Sequence, residues 1–307
     1  MQVDGVLLLD KPIGPTSHDV VGRVRRAFDT RTVGHAGTLD PMASGLLVVL
    51  VNEATKLSPY LSSDDKVYEA TVRFGEETDT LDAQGNVTRT CPVPSDLSIT
   101  TVDAACAAML GVVKQKAPAV SAIKVGGKAL HARVRAGEDV DAPVREVLLR
   151  EALVRRVADR DADIRVDCGK GVYVRSFARD LGEALGTCAH LTALRRIQSG
   201  PFSIDGAVDF ALIQEAANND ADAKAALRGK LLSLVDAVKA MPRADLNELG
   251  AEEVRHGRPV PETGAAKFHE ISDGAACALV APDGVLVAIG TKSGDLIRVA
   301  RGFVRRS

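Results

Sequence analysis

One carboxylate stands out by its setting. The stretch Gly34-His35-Ala36-Gly37-Thr38-Leu39-Asp40-Pro41-Met42-Ala43-Ser44-Gly45 places Asp40 in a loop punctuated by glycine and proline, so backbone geometry rather than a helix positions the acid. Leu46-Leu47-Val48-Val49-Leu50-Val51 follows, an apolar run suited to a strand buried on both faces, with Asp40 at its mouth. A carboxylate fixed in this way can take a proton or attack carbon. An aspartate beside proline also bonds to its own backbone in ordinary turns, and the loop taken alone favours that plainer role.

Other side chains extend the chemistry. Lys11 sits in the turn-rich segment Asp10-Lys11-Pro12-Ile13-Gly14-Pro15-Thr16-Ser17, either as a solvated lysine or as a cation near a phosphate or a fixed carboxylate. His35 lies five residues before Asp40 in the same constrained loop. The chain has no tryptophan and three tyrosines, so Tyr68 and Tyr173 are scarce aromatic side chains, which pack in the core or line a pocket. The five cysteines are far apart with no C-x-x-C, and the six histidines are dispersed with no H-E-x-x-H. The cysteines are expected to be reduced and packed, and no metal is expected.

The elements that must carry these residues are short and mixed. Val6 to Leu9 reads as a strand, Thr16 or Ser17 as the N-cap of a helix over His18 to Phe28, and Val67 to Gly75 as a strand with one buried face. Helices are predicted over Thr100 to Leu110 and Ala129 to Ala136, strands over Val147 to Val157 and Asp163 to Cys168. A further helix runs through Leu185 and stops at Gly186. Without regular βαβ spacing or G-x-G-x-x-G, the layout is α+β rather than a nucleotide-binding parallel sheet. Beyond the boundary at Met241-Pro242, short strands with turn signals mark a small β-rich module ending in Arg298, Arg301, Arg305 and Arg306.

At 307 residues and 46% hydrophobic, the chain can bury a large core. It has no apolar run of about 18 residues and no signal-peptide pattern at Met1, so a cytoplasmic protein that does not enter membranes is expected. The net charge of −2 speaks weakly against nucleic-acid binding, but the charge is segregated. Residues 61–113 carry three basic and nine acidic groups, whereas 114–150 carry eight basic and four acidic. Residues 165–204 are also net positive, six against three. Two basic segments meeting on one face would suit phosphates; ordinary solvated surface explains the counts equally well.

Seven motifs then occur in one order: Asp10-Lys11-Pro12-x-Gly14-x-Thr16-Ser17, the Gly34 to Gly45 loop, Lys66-Val67-Tyr68, Asp79-Thr80-x-Asp82-x-x-Gly85, Ser121-Ala122-x-Lys124-x-x-Gly127, Gly171-x-Tyr173-x-Arg175-Ser176 and His190-Leu191-x-x-Leu194-Arg195-Arg196. In this the sequence resembles tRNA pseudouridine-55 synthases of the TruB type over roughly residues 4–236, with a weaker likeness of the C-terminal part to PUA-type RNA-binding modules. The resemblance implies a pseudouridine-synthase catalytic domain over 1–236, with a mixed, largely antiparallel central sheet, flanking helices and a basic RNA-binding arm at 114–145, followed by a PUA-like domain at 243–307.

It also implies an activity. The enzyme would be a cofactor-independent, generally monomeric isomerase that flips one uridine out of the tRNA T-stem-loop, breaks its N-glycosidic bond, rotates the uracil and rejoins it through C5. Asp40 matches the catalytic aspartate, Tyr68 the stacking partner with a hydroxyl near the C5 proton, and Arg175 the arginine that aims Asp40. Asp82 would pair with Arg175, Tyr173 and Leu194 would wall the pocket, His35 would fill the place the base leaves, and Lys11 would support the loop bearing Asp40. A single reacting carboxylate separates this chemistry from glycoside hydrolysis, which usually shares the work between two. His131 and Ala117-Pro118 depart from the pattern, within the arm. The alternative is a non-catalytic tRNA-binding or RNA-folding protein on the same scaffold, free to lose Asp40, Arg175 or Tyr68; all three are present.

Overall fold

Apolar strands with alternating burial dominate the chain and pair into one long sheet. The computed structural model describes residues 3–62, 65–119, 124–125, 128–129, 142–266 and 268–303. The elements that position the site are β1 (Gly5–Lys11), α1 (Ser17–Ala27), β2 (Val33–His35), β3 (Ala43–Val51), β4 (Lys66–Phe74), β5 (Glu76–Thr78), β6 (Val87–Thr90), α2 (Ile99–Ala108), β7 (Gly111–Lys116), β8 (Val144–Ala158), β9 (Asp161–Cys168), α3 (Val174–Ala184), β10 (Ala189–Ser199), β11 (Val208–Asp209) and α4 (Phe210–Ala217). A ten-stranded sheet runs in the order β11-β1-β3-β10-β4-β9-β8-β7, with β2 added on β3 and the short strand Phe202–Ser203 on β10. Only the β1–β11 and β3–β10 pairs are parallel, so the sheet is mixed and largely antiparallel, as the family resemblance implied.

Local sequence explains the elements near the site. Thr16 caps α1 in a capping box with Asp19, and Val20, Val21, Val24 and Ala27 form its buried stripe. β3 is buried on both faces: Leu47, Val49 and Val51 enter the core shared with α1 and α3, and Leu46, Val48 and Leu50 a second core. That second core includes Ala278, Val280, Leu286 and Ile289 from the C-terminal module. The module is a six-stranded sheet between Arg243 and Gly302, and its core includes Ala251 and Val254 of the helix Glu248–Arg255, which follows the first strand and which the sequence reading did not anticipate.

Three expectations need comment. The predicted helix over Ala129 to Ala136 meets a different start, because Lys128–Ala129 is a short strand paired with Lys124–Val125. Residues 130–136, with His131, lie outside the described residues, as do most of the Ser121 to Gly127 motif and Arg305 and Arg306. Second, the cysteines are not all reduced. Cys91 and Cys188, with Cα atoms 5.7 Å apart, form a disulfide, while Cys106, Cys168 and Cys277 are free and buried. The pairing was invisible in sequence because 97 residues separate the two; Gly75 brings them together, donating to the Cys188 carbonyl at 2.7 Å and accepting from the Cys91 amide at 2.9 Å. Third, the helix predicted to end at Gly111 stops earlier at Ala108, and Gly111 opens β7 with φ +97°.

The disulfide makes a countable prediction. Alkylation of the unfolded protein should label three thiols before reduction and all five after it. Opening so long a loop should lower stability by about 2–4 kcal/mol in urea unfolding; five labelled thiols without reductant would refute the pairing.

Candidate active site

The Asp40 loop is held almost residue by residue. Arg196, on β10, is 1% exposed, and its guanidinium donates from Nη2 to the Gly37 carbonyl (3.2 Å), from Nη1 to Thr38 (3.2 Å) and from Nε to Leu46 (2.7 Å). The Ser17 hydroxyl accepts from the Leu39 amide (2.8 Å) and donates to the Leu39 carbonyl (3.0 Å). The Gly14 amide donates to the Pro41 carbonyl (2.8 Å), and the Ala43 amide to that of Asp40 (3.0 Å). Backbone polar groups that would be costly to bury unpaired are thus spent on fixing the loop. Gly45 makes the approach of β10 feasible: its φ is +101°, and a Cβ there would lie 2.3 Å from the Arg196 carbonyl oxygen.

From this loop the Asp40 carboxylate reaches a cavity of ≈ 210 Å³. Arg175, near the start of α3, places Nε 2.9 Å from Asp40 Oδ2; the arginine side chain is 4% exposed and the aspartate 39%. The cation is sealed and the anion accessible. Arg175 Nη1 donates to the Thr80 carbonyl at 2.9 Å and lies 3.6 Å from Asp82 Oδ2. Asp82 is itself held, accepting from Thr80 Oγ1 (2.7 Å) and the Gln84 amide (3.0 Å).

The structure brings Asp40, Tyr68, Tyr173, Arg175 and Leu194 together around this cavity. Asp40 is the one carboxylate among the described residues that line it. Three named residues stand outside the lining. Asp82 lies behind Arg175. His35 ends β2, half-buried, with Nδ1 lacking a hydrogen-bond partner; burial, with the Arg196 and His18 charges, lowers its pKa and favours the neutral ring. Lys11, fully buried, donates to the Pro12 and Pro15 carbonyls (2.8 and 3.0 Å), so it braces its own loop, whereas Gly14 and Ser17 of the same motif touch the Asp40 loop.

Two charged lining residues had no role in the sequence reading. Lys66 and Arg196 both face the cavity, and both stood inside quoted motifs, Lys66 two residues before Tyr68 and Arg196 two after Leu194. Lys66 is buried and donates to the Ser62 carbonyl (2.9 Å). Alternation along β4 was the available signal, since Lys66 and Tyr68 share a face. Burial, partly opposed by Arg196, raises the Tyr68 hydroxyl above the ordinary tyrosine value, so it holds its proton at neutral pH.

Comparison with known proteins places this geometry. Residues 25–174 match the TruB family pseudouridylate synthase N-terminal domain, and residues 175–239 the tRNA pseudouridylate synthase B C-terminal domain. The tRNA pseudouridine synthase B of Arthrobacter sp. (strain FB24) is 43% identical over 303 residues, covering 95% of this chain and 94% of that protein. The chain belongs to the TruB family. The Thermobifida fusca protein of the same name is 44% identical over 295 residues, covering 93% of this chain and 94% of that one. Among solved structures, a chain of a Cbf5-Nop10-Gar1 complex has a TM-score of 0.75 at 26% identity, covering 98% of this chain and 85% of that chain. The seam between the two TruB domain matches falls at Arg175, so the Asp40–Arg175 contact joins residues from both. No helix among the described residues is long and apolar enough to cross a membrane.

Two predictions test the loop supports. Gly45→Ala forces a side chain into a positive-φ position against the Arg196 backbone, and should cost on the order of 1–3 kcal/mol in denaturant unfolding; a neutral effect would show that the approach is not tight. For Lys11, burial pushes the ammonium down to about 8 from an ordinary 10.5, with Asp40 opposing the shift. Between those pH values the unfolded chain binds more protons than the folded one, so stability should rise with pH across the window. Lys11→Met should remove that rise, and identical pH dependence in the two proteins would contradict the shift.

Proposed function

We propose that this TruB-family chain converts uridine 55 in the T-loop of tRNA to pseudouridine. The observation that carries the proposal is the solitary accessible carboxylate of Asp40, aimed by a sealed arginine into a cavity walled by Tyr68, Tyr173 and Leu194. In the reaction the C1′–N1 bond breaks, the uracil turns, and a C1′–C5 bond forms. The C5 hydrogen leaves as a proton and N1 ends protonated, so atoms balance without a redox partner.

Each residue takes a part in this reading. Asp40 acts at the ribose as the glycosidic bond breaks, by attack on carbon or by taking a ribose proton; either route needs one ionised oxygen close to the sugar. Arg175 fixes that oxygen, and Asp82 fixes Arg175. Tyr68 offers the flipped uracil a flat face, offsetting part of an unstacking cost of a few kcal/mol, and His35 enters the stack that the base vacates. A neutral imidazole suits insertion between bases, consistent with its lowered pKa. The arm at 114–145 and the module at 243–307 would hold the T-stem-loop and the rest of the tRNA through phosphate contacts, the protein acting as a monomer.

Incubation with a T-stem-loop RNA tritiated at uridine C5 reads the isomerisation directly as tritium release. Asp40→Asn should abolish release while RNA affinity changes little. A folded wild-type protein that binds this RNA and releases no tritium would favour the non-catalytic RNA-binding alternative.

A further inference from the structure

The aim of Arg175 depends on where α3 begins, and that beginning lacks the usual devices. The N-cap residue, Tyr173, makes no side-chain capping bond, and the first turn carries no acidic residue. Strand β7 supplies what is missing. Gln115 Oε1 accepts from the Tyr173 amide at 2.8 Å. The next carbonyl along, that of Lys116, accepts from Ser176 Oγ at 2.8 Å and from Arg179 Nη2 at 3.2 Å. Residues 173, 176 and 179 follow the three-residue spacing of one helical stripe, so two consecutive residues of β7 hold the first turns of α3 along one side.

The burial of these groups gives the contacts weight. Gln115 is 3% exposed and Ser176 0%. A buried amide or hydroxyl is costly unless bonded, so such residues persist where their bonds fix something. Gln115 does not line the cavity. It acts on Tyr173, which does, and on the helix whose second residue is Arg175.

We propose that Gln115 is a positioning residue for the reaction at Asp40: by accepting the Tyr173 amide it sets the opening turn of α3 and hence the reach of the Arg175 guanidinium to the carboxylate. The inference rests on the uridine-isomerising reading for its kinetic consequence, but not for its structural one. Misplacement of a reacting group by about 1 Å costs up to about 100-fold in rate.

Gln115→Met keeps the volume and removes the acceptor; Gln115→Glu keeps an acceptor oxygen; Gln115→Asn is one methylene short of the Tyr173 amide and serves if the methionine variant does not fold. With tritiated T-stem-loop RNA, Gln115→Met and Gln115→Asn should lower kcat by about 10- to 100-fold while KM stays within about threefold, and Gln115→Glu should recover most of the loss. The Arg175 Nε–H resonance, buried 2.9 Å from Asp40 Oδ2 in the wild type, should exchange faster in the Met and Asn variants and not in Glu. Unchanged kcat and unchanged exchange in folded Met or Asn variants would overturn the proposal. So would a loss that tracks the melting temperature and that Glu does not rescue. If the wild type itself releases no tritium, the uridine reading fails, and the Arg175 resonance alone decides whether Gln115 aims the arginine.

Discussion

The buried guanidinium of Arg196 is the constraint on which the site depends. A charge removed from water must be surrounded by hydrogen-bond acceptors, and here the acceptors are three backbone carbonyls, of Gly37, Thr38 and Leu46. Two lie in the Asp40 loop and the third in β3. The electrostatic demand of one side chain thereby ties loop to strand, and the β3–β10 pairing that brings Arg196 opposite Gly45 becomes part of the active-site geometry. Charge-assisted hydrogen bonds of this kind contribute about 1.5–3 kcal/mol each, against a desolvation cost of several kcal/mol for the ion. The net worth of such an arrangement lies less in stability than in leaving the loop one conformation.

Around that anchor the charges are sorted by access. Arg175 is sealed and Asp40 open, while Asp82 balances the far side of the guanidinium from within a turn that its own carboxylate organises. Lys66 and Arg196 give the cavity wall two further buried cations, each bonded to backbone carbonyls. The low-dielectric setting keeps these interactions strong, because little solvent screens them.

Much of the scaffold was legible in sequence because local patterns decided it. The double-sided burial of β3, the capped start of α1 and the alternation of β4 each follow from residues within one element. Asp40, Tyr68, Tyr173, Arg175 and Leu194 were legible as a set only through their motifs, and the fold gathers them at one cavity. What stayed hidden depends on contacts between distant segments. Nothing near Arg196 in sequence announces that its partners are carbonyls about 150 residues away, and nothing near Cys91 points to Cys188. Gln115 carries no signal in the sequence around it, because its partner is the amide of a helix N-cap residue 58 positions later. Lys11 bonds within its own turn, while Ser17 of the same motif bonds to the Asp40 loop, and neither partner is written in the local sequence.

The two faces of β3 have a bearing on how such proteins can be rebuilt. One face belongs to the core beneath α1 and α3; the other is covered in part by Ala278, Val280, Leu286 and Ile289 of the C-terminal module. The strand leaving the Asp40 loop is therefore upholstered on its reverse side by residues more than 220 positions downstream. A chimera that exchanges the module for one from a relative must match Leu46, Val48 and Leu50 in shape as well as any RNA contact, or it will leave an oily seam behind the reacting carboxylate. Modularity in sequence here stops at the backbone; in packing, module and catalytic strand are a single upholstered joint.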